Sequence, residues 1–235
     1  MSPAVGPTAF PGFPSQTLKF LKDLSNNNDR DWFNERKPKY EQFVREPALA
    51  LITAMQKPLD KQAPMLEAIP KKVGGSLMRI YRDTRFSKDK TPYKTNVGIH
   101  FRHEQGSNVH APGVYLHLEP SGCFMGAGIW HPEKEALLSI RQFLAEHPDL
   151  WKKAVYGKKF REAYELTGDR LKRPPAGFDK EHPYIEDLKR KDFIGISPLT
   201  KAQVESPELI KVMVQKIKAA DALMRFLCDA LGIPF

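Results

Sequence analysis

The sequence predicts an α+β fold with a central, mainly antiparallel sheet of four to five strands, one face of which is covered by N- and C-terminal helices. Two observations predict this fold class. Apolar residues recur at helical spacing at both ends of the chain, whereas they alternate with polar residues in the middle. The link Pro120–Gly122 between two alternating stretches is short, as in a hairpin. Strands grouped between helical ends favour α+β over a doubly wound parallel sheet.

The N-terminal part is predicted to be helical. Apolar residues follow Ser15 at helical spacing, and Asn26–Asn28 end this first helix. Pro38 and Pro47 are expected to kink or divide the next helical stretch, which continues to Pro58.

The middle of the chain is predicted to form strands. Alternating polar and apolar residues predict four of them, and a fifth is expected near the C-terminal end. The stretches are Ser76–Arg82, Val97–Arg102, Gly113–Glu119, Cys123–Trp130 and Phe193–Leu199.

Helices return in the last part of the chain. Pro132 suits a first helical position, and shorter helices are expected around Leu150–Tyr156 and Lys158–Leu166. A long terminal helix is predicted to start after Ser206 and to stop at Gly232.

Composition limits the class of protein without choosing a function. The 235 residues include only two cysteines, so a disulfide framework is not indicated and a cytoplasmic location is expected. No apolar run approaches the roughly 18 residues that span a bilayer, so no membrane association is expected. Residues 1–12 are predicted to be a flexible tail and residues 13–235 a single α+β domain. The formal net charge of +9 favours anionic partners.

Much of this charge lies in the segment Lys71–Lys94, hereafter the basic segment. It holds eight basic and two acidic residues. Guanidinium groups, hydroxyls and a turn-forming proline are suited to surround a phosphate or carboxylate. The candidate ligand-binding residues here are Arg79, Arg82, Asp83, Arg85, Lys90, Tyr93 and Lys94.

Strand alternation predicts a second group of polar residues on one face of the sheet. If the apolar residues pack on the helices, the opposite face carries Arg79, Tyr81, His100, Arg102, Tyr115, His117 and Glu119. His100 and His117 are candidate acid–base groups, because imidazole titrates near neutral pH. Tyr115 is a candidate ligand contact. Lys172, in a second basic loop, is another candidate if that loop folds over the sheet, and the alternative is that the loop is a solvated connector.

The same face has a simpler interpretation, since an antiparallel sheet normally exposes one polar face to water. A metal site is not favoured, because only Glu119 lies near the two strand histidines and no cysteine completes a ligand set. His110 and His131 fall in predicted loops.

The segment Arg79-x-x-Arg-Asp-Thr-Arg-Phe-Ser-Lys-Asp-Lys-Thr-Pro-Tyr-Lys94 resembles the domain of unknown function 2461 family, conserved hypothetical proteins of bacteria and fungi. The resemblance runs from about Phe13 to the C-terminus. Further matching segments are Tyr115–Leu118, Gly126–Pro132 and Leu171–Gly177. It implies one α+β domain and implies no activity, cofactor or catalytic residue.

Three functions are compatible with the sequence. A small ligand bearing phosphate or carboxylate, bound in a basic cleft on the sheet and possibly turned over there, is the favoured one. Nucleic-acid binding is the second, because Tyr81, Phe86 and Tyr93 are interleaved with basic residues. The third is a structural or interaction role, in which the basic segment forms internal salt bridges. The identity of any cofactor and the oligomeric state are left open.

Overall fold

The computed structural model contains a sheet of six strands in the order β1-β2-β3-β4-β6-β5, with every neighbouring pair antiparallel. The strands are β1 Leu66–Glu67, β2 Val97–His103, β3 Gly113–Glu119, β4 Gly122–Ile129, β5 Glu165–Thr167 and β6 Phe193–Leu199. The predicted α+β class is confirmed, with slightly more strands than expected.

The structure describes residues 10–106 and 111–235. Most of the predicted N-terminal tail, and His110, lie outside these residues. Phe10 and Phe13 are buried in the core, with ring centroids 5.5 Å apart.

Helices precede and follow the strands. They are α1 Ser15–Asn26, α2 Arg30–Glu35, α3 Lys37–Tyr40, a π-helical turn Glu41–Arg45, α4 Glu46–Gln62, α5 Lys134–Glu146, α6 Pro148–Tyr156, α7 Lys158–Ala163, α8 Ile185–Leu188, α9 Lys201–Val204 and α10 Leu209–Leu231.

Local sequence explains where several of these helices begin and end. The Asp29 side chain accepts a hydrogen bond of 2.8 Å from the Trp32 backbone N–H, which caps α2. Pro38 stands in the first turn of α3, where the missing N–H costs nothing. Pro47 follows the π-helical turn without a break in the helical backbone, and the Phe43 carbonyl four residues before it accepts a hydrogen bond of 2.5 Å from the Thr17 hydroxyl. Gly232 ends α10 with φ of 66°, a left-handed conformation that glycine adopts without steric cost.

One contiguous apolar core lies between the sheet and the helices. Helices α1, α4 and α10 pack on β3, β2 and β4. Alternate residues of the strands, such as Ile99, Leu116 and Met125, are fully buried on this core face. The opposite side of β2, β3, β4 and β6 is hereafter the open face.

The predicted strand Ser76–Arg82 is wrong. This stretch forms only isolated bridges, Leu77 with Ile99 and Tyr81 with Tyr93. Its backbone bonds first to β2 and then to the returning residues 92–94, so no single partner strand runs along it.

The side-chain alternation expected for this stretch also fails. Met78 is 38% exposed, whereas Leu77 and Ile80 are buried. Met78 was expected on the core side with Ile80, and the structure instead places its sulfur against the open face near Gly98.

Candidate functional site

The open face brings together polar side chains from β2 and β3. His100 pairs with Tyr115 across the two strands, and His117 pairs with Gly98. Because alternate residues of a strand share a face, Tyr115, His117 and Glu119 line up along β3. The structure therefore groups five of the polar residues named from the alternation: His100, Arg102, Tyr115, His117 and Glu119.

A cavity of about 370 Å³ lies on this face, hereafter the open-face cavity. Its polar lining comes from His100, Arg102, His103 and Tyr115. The remaining described lining residues are Met78, Gly106, Ala111, Gly113, Gly126, Gly128, Ile129, Trp130 and Ile194. A volume of this size lies within the range of small-molecule sites, about 300–1,000 Å³.

Glycines on the neighbouring strand leave room for the polar side chains. A Cβ atom at Gly113 would lie 2.5 Å from the Nε2 atom of His100. A Cβ atom at Gly98 would lie 2.7 Å from the hydroxyl oxygen of Tyr115. His100 and Tyr115 therefore lie flat across backbone rather than standing away from the sheet.

His100 is held neutral at physiological pH. Burial, and then the positive charge of Arg102, lower its pKa from 6.5 to about 4. The Nε atom of Arg102 donates a hydrogen bond of 3.3 Å to the Nδ1 atom of His100. The neutral ring must then carry its proton on Nε2, which makes His100 a hydrogen-bond donor in the cavity wall.

A chain of three side chains runs along β3 from the cavity. The Tyr115 hydroxyl lies 3.2 Å from Nδ1 of His117, and Nε2 of His117 lies 3.3 Å from Oε2 of Glu119. The Asn96 amide lies 3.4 Å from both the Tyr115 hydroxyl and His117 Nδ1. Since the hydroxyl and the amide are both donors, Nδ1 is the acceptor and Nε2–H donates to Glu119.

Other contacts hold this chain in place. The Phe124 ring stacks on the imidazole of His117 with centroids 4.6 Å apart. The Thr95 hydroxyl donates a hydrogen bond of 3.1 Å to Oε1 of Glu119. Burial acts to raise the pKa of Glu119, but hydrogen bonds from His117, Ser121 and Thr95 outweigh it and hold the pKa below its usual range. Glu119 is therefore a carboxylate at neutral pH.

The tip of the basic segment satisfies much of its charge internally. Arg82 bonds to Asp89 and to the Thr91 hydroxyl. The Arg85 guanidinium donates two hydrogen bonds, of 3.0 and 2.7 Å, to the Asp83 carboxylate. Lys90 donates to the backbone oxygen of Thr84 at 2.9 Å, and hydrogen bonds from Arg82 and Thr91 lower the pKa of Asp89 to about 2. The open-face cavity is lined by none of these residues.

The return leg of the segment is packed against the N-terminal helices. The Tyr93 ring is buried and stacks on Phe33 with centroids 4.1 Å apart. Asn28 accepts from the Tyr93 N–H at 3.0 Å and donates to the Tyr93 carbonyl at 2.9 Å. The Tyr93 side chain thus contributes packing.

Lys94 lies beside a second, polar cavity of about 380 Å³. Arg82, Thr95 and Asn96 line the same cavity. Burial and then the charge of Arg79 lower the pKa of Lys94. Asn96 also contacts Tyr115, so it connects the polar cavity with the open-face cavity.

Arg79 and Lys172 also do not line the open-face cavity, so Tyr115 alone of the nine predicted ligand-binding residues does. Arg79 is exposed, close enough to Lys94 and Asp83 to affect their pKa values. Lys172 is exposed and follows the bridge between Arg170 and Arg190, near the β5 edge of the sheet. The basic segment instead flanks β2, close to the opposite edge.

Sequence reasoning missed Asn96, Trp130 and Met78 as site residues. Asn96 stands just before β2, where alternation assigns it no face. Trp130 follows directly on β4 and is 65% exposed. An exposed tryptophan at a strand end is a usable signal for a ligand contact, because such rings are normally buried.

The described residues offer neither a metal-binding cluster nor a membrane-spanning helix. Within residues 10–106 and 111–235, no group of three or more histidine, cysteine or acidic residues is arranged to hold a metal ion. Within the same ranges, no helix has both the length and the apolar character needed to cross a bilayer.

Comparison with known proteins gives one result. No curated protein and no solved structure matches the chain. The sequence model of one family, described as conserved hypothetical protein (DUF2461), matches residues 16–226. The match covers most of the chain and agrees with the resemblance carried by the basic segment. The chain belongs to the DUF2461 family of conserved hypothetical proteins.

Proposed function

We propose that the protein binds a small organic anion in the open-face cavity. The observation that carries this proposal is the lining of the cavity. Arg102 and the neutral His100 offer hydrogen-bond donors at one part of the wall, beside apolar groups and the glycines of β4. Such a lining suits a ligand with one acidic group and an apolar or aromatic body.

Arg102 is the residue that would hold the acidic group. Its guanidinium uses Nε for His100, which leaves its other N–H groups to face a carboxylate or phosphate. His100 would add one neutral donor through Nε2–H. A charge-assisted bond together with a neutral one favours an anion over a neutral ligand.

The apolar part of the ligand would lie against β4 and the apolar lining residues. Gly126 and Gly128 of β4 line the cavity together with Ile194, Met78 and Trp130. An aromatic body resting there would contact the exposed ring of Trp130.

The internal pairing of the basic segment favours a small ligand over nucleic acid. Three cations of the basic segment already bond within it: Arg82 to Asp89, Arg85 to Asp83, and Lys90 to the Thr84 backbone. Fewer cations are therefore free to bind phosphates than the charge count suggests. Phosphate contacts by Lys and Arg supply most of the affinity in nucleic-acid binding.

Two matched dyes test the proposal. Anilinonaphthalene sulfonate carries an acidic group, and phenylnaphthylamine has the same aromatic body without it. We expect Arg102→Gln to weaken binding of the sulfonate roughly five-fold, since a partly solvated charge-assisted bond contributes about 1 kcal/mol. Binding of the neutral dye should not change.

Arg85→Gln is the matched control, because Arg85 is an exposed arginine that does not line the cavity. Trp130→Phe should reduce energy transfer from protein to dye if the dye occupies this cavity. The proposal is wrong if neither dye binds the wild-type protein, or if Arg102→Gln leaves the affinity for the sulfonate unchanged.

A further inference from the structure

We infer that Tyr115 is a nucleophilic catalytic residue of the open-face cavity, with His117 as its general base and Glu119 as the group that orients the imidazole. This inference rests on the proposed function in one respect, that the cavity admits a ligand. It adds a reaction class, transfer of an acyl group from an ester-like anionic substrate to the Tyr115 oxygen and then to water.

The order of groups supports this role. A hydroxyl, an imidazole and a carboxylate follow one another at 3.2 and 3.3 Å. Serine hydrolases place the nucleophile, the general base and the orienting group in the same order. In those enzymes Nε2 of the histidine faces the nucleophile, whereas here Nδ1 of His117 faces Tyr115 and Nε2 faces Glu119. A phenol is a stronger acid than the serine hydroxyl that such a pair activates.

Burial raises the pKa of Tyr115 and outweighs the hydrogen bond from Asn96, so the resting phenol is protonated and its attack needs a base. The order of donors and acceptors gives the direction in which that proton would move. His117 Nδ1 accepts from Tyr115, while its Nε2–H points to a carboxylate that stays ionised. When Nδ1 takes the phenol proton, the resulting imidazolium pairs with Glu119. The Phe124 ring stacks on His117, and the Thr95 hydroxyl bonds to Glu119. Because they fix the orientations of these two side chains, Phe124 and Thr95 are positioning residues.

The chemical step balances within the site. The Tyr115 oxygen forms a bond to the acyl carbon as its proton moves to His117 Nδ1. The bond from the acyl carbon to the leaving oxygen breaks, and that oxygen takes the proton from His117. Water then attacks the acyl-tyrosine with His117 as base, which restores the phenol. The N–H groups of Arg102 that the acidic group of the substrate leaves unbonded are the donors available to the oxyanion.

Benzenesulfonyl fluoride tests the nucleophile directly, since it requires no knowledge of the natural substrate. The tyrosine oxygen bonds to sulfur, fluoride leaves, and the phenol proton goes to His117. We expect Tyr115 to be labelled at least about tenfold faster than other tyrosines, because a general base contributes on the order of 100-fold. Peptide mapping by mass spectrometry measures the rate at each residue.

The chain supplies internal controls. Tyr81 and Tyr156 are 49% and 44% exposed, so access alone predicts that they react first. His117→Gln should reduce labelling of Tyr115 to the rate of Tyr81. Glu119→Gln should change the pH dependence of the labelling rate, whereas a merely structural effect would scale the rate equally at every pH.

The inference is overturned if Tyr115 reacts no faster than Tyr81 and Tyr156, or if His117→Gln leaves its labelling rate unchanged. Dye binding by the wild-type protein separates this result from the proposed function. Dye binding without fast labelling of Tyr115 in the wild type rejects the nucleophile alone. Fast labelling without dye binding rejects the anion site alone.

Discussion

At the scale of single residues, the open face depends on side chains that lie across glycine backbone. Both His100 and Tyr115 occupy space that a Cβ atom on the facing strand would fill. This arrangement buries polar rings that would otherwise stand in water. Burial then sets their protonation, since a neutral imidazole and a neutral phenol are less costly to desolvate than their ions.

The protonation of His100 makes the stability of the fold depend on pH. The unfolded chain takes up a proton at this residue near pH 6.5, and the folded protein does so only near pH 4. Between these values the unfolded state binds more protons, so stability must fall as the pH decreases. The loss between pH 7 and pH 4 should be at most about 3 kcal/mol.

Urea unfolding at a series of pH values measures this dependence. His100→Gln should unfold with a smaller loss of stability from pH 7 to pH 4 than the wild-type protein. Parallel stability–pH curves for the two proteins would show that His100 does not titrate between these limits.

At the scale of elements, alternation along strands was the most informative signal. It predicted β2, β3 and β4 to within one or two residues, because each buries one face against helices. It failed at Ser76–Arg82, where the backbone bonds depend on two different partners. Strands β1 and β5 are two and three residues long, too short to show a period.

The pairing within the basic segment could not be read from the sequence. Arg82 reaches Asp89 seven residues away because the segment turns back between Tyr81 and Tyr93. Charge counting predicts a cluster of cations, but only the turn decides which of them meet a carboxylate. The grouping of His100, Tyr115, His117 and Glu119 on one face, by contrast, follows from the period of two alone.

Asn28 anchors the return leg of the basic segment to the helices. Asn28→Ala removes both partners of the Tyr93 backbone and should destabilise the protein by about 2 kcal/mol. Amide hydrogen exchange should quicken across residues 80–96, which carry Lys94 and Asn96. Asn27→Ala is the control, because the Asn27 side chain bonds to Asp23 within the same helical end. Equal exchange in the two variants would contradict the assignment of Asn28 as the anchor.

At the scale of the whole molecule, a buried ionic cluster joins the helices to the far edge of the sheet. Asp187 accepts hydrogen bonds from the Trp151 indole at 2.8 Å and the Tyr156 hydroxyl at 2.7 Å, and pairs with Arg190 at 2.9 Å. The Arg190 guanidinium also donates a hydrogen bond to the backbone oxygen of Thr167 in β5. The backbone oxygen of Arg190 accepts a hydrogen bond from the Arg141 guanidinium in α5. None of these contacts involves the open face.

This separation predicts that stability and ligand binding can be changed independently. Asp187 and Arg190 are 2% and 3% exposed, so Asp187→Asn leaves a buried guanidinium without its counter-ion. The variant should lose about 3–5 kcal/mol of unfolding free energy in urea denaturation. Glu186, the neighbour of Asp187, provides the control, because its side chain pairs with Lys189 and is 64% exposed. Glu186→Gln should lower the free energy of unfolding by less than about 1 kcal/mol.

Folded Asp187→Asn should bind anilinonaphthalene sulfonate as the wild type does, because no atom of the cluster lines the cavity. A weakened affinity in the folded variant would mean that the far edge of the sheet helps to shape the site.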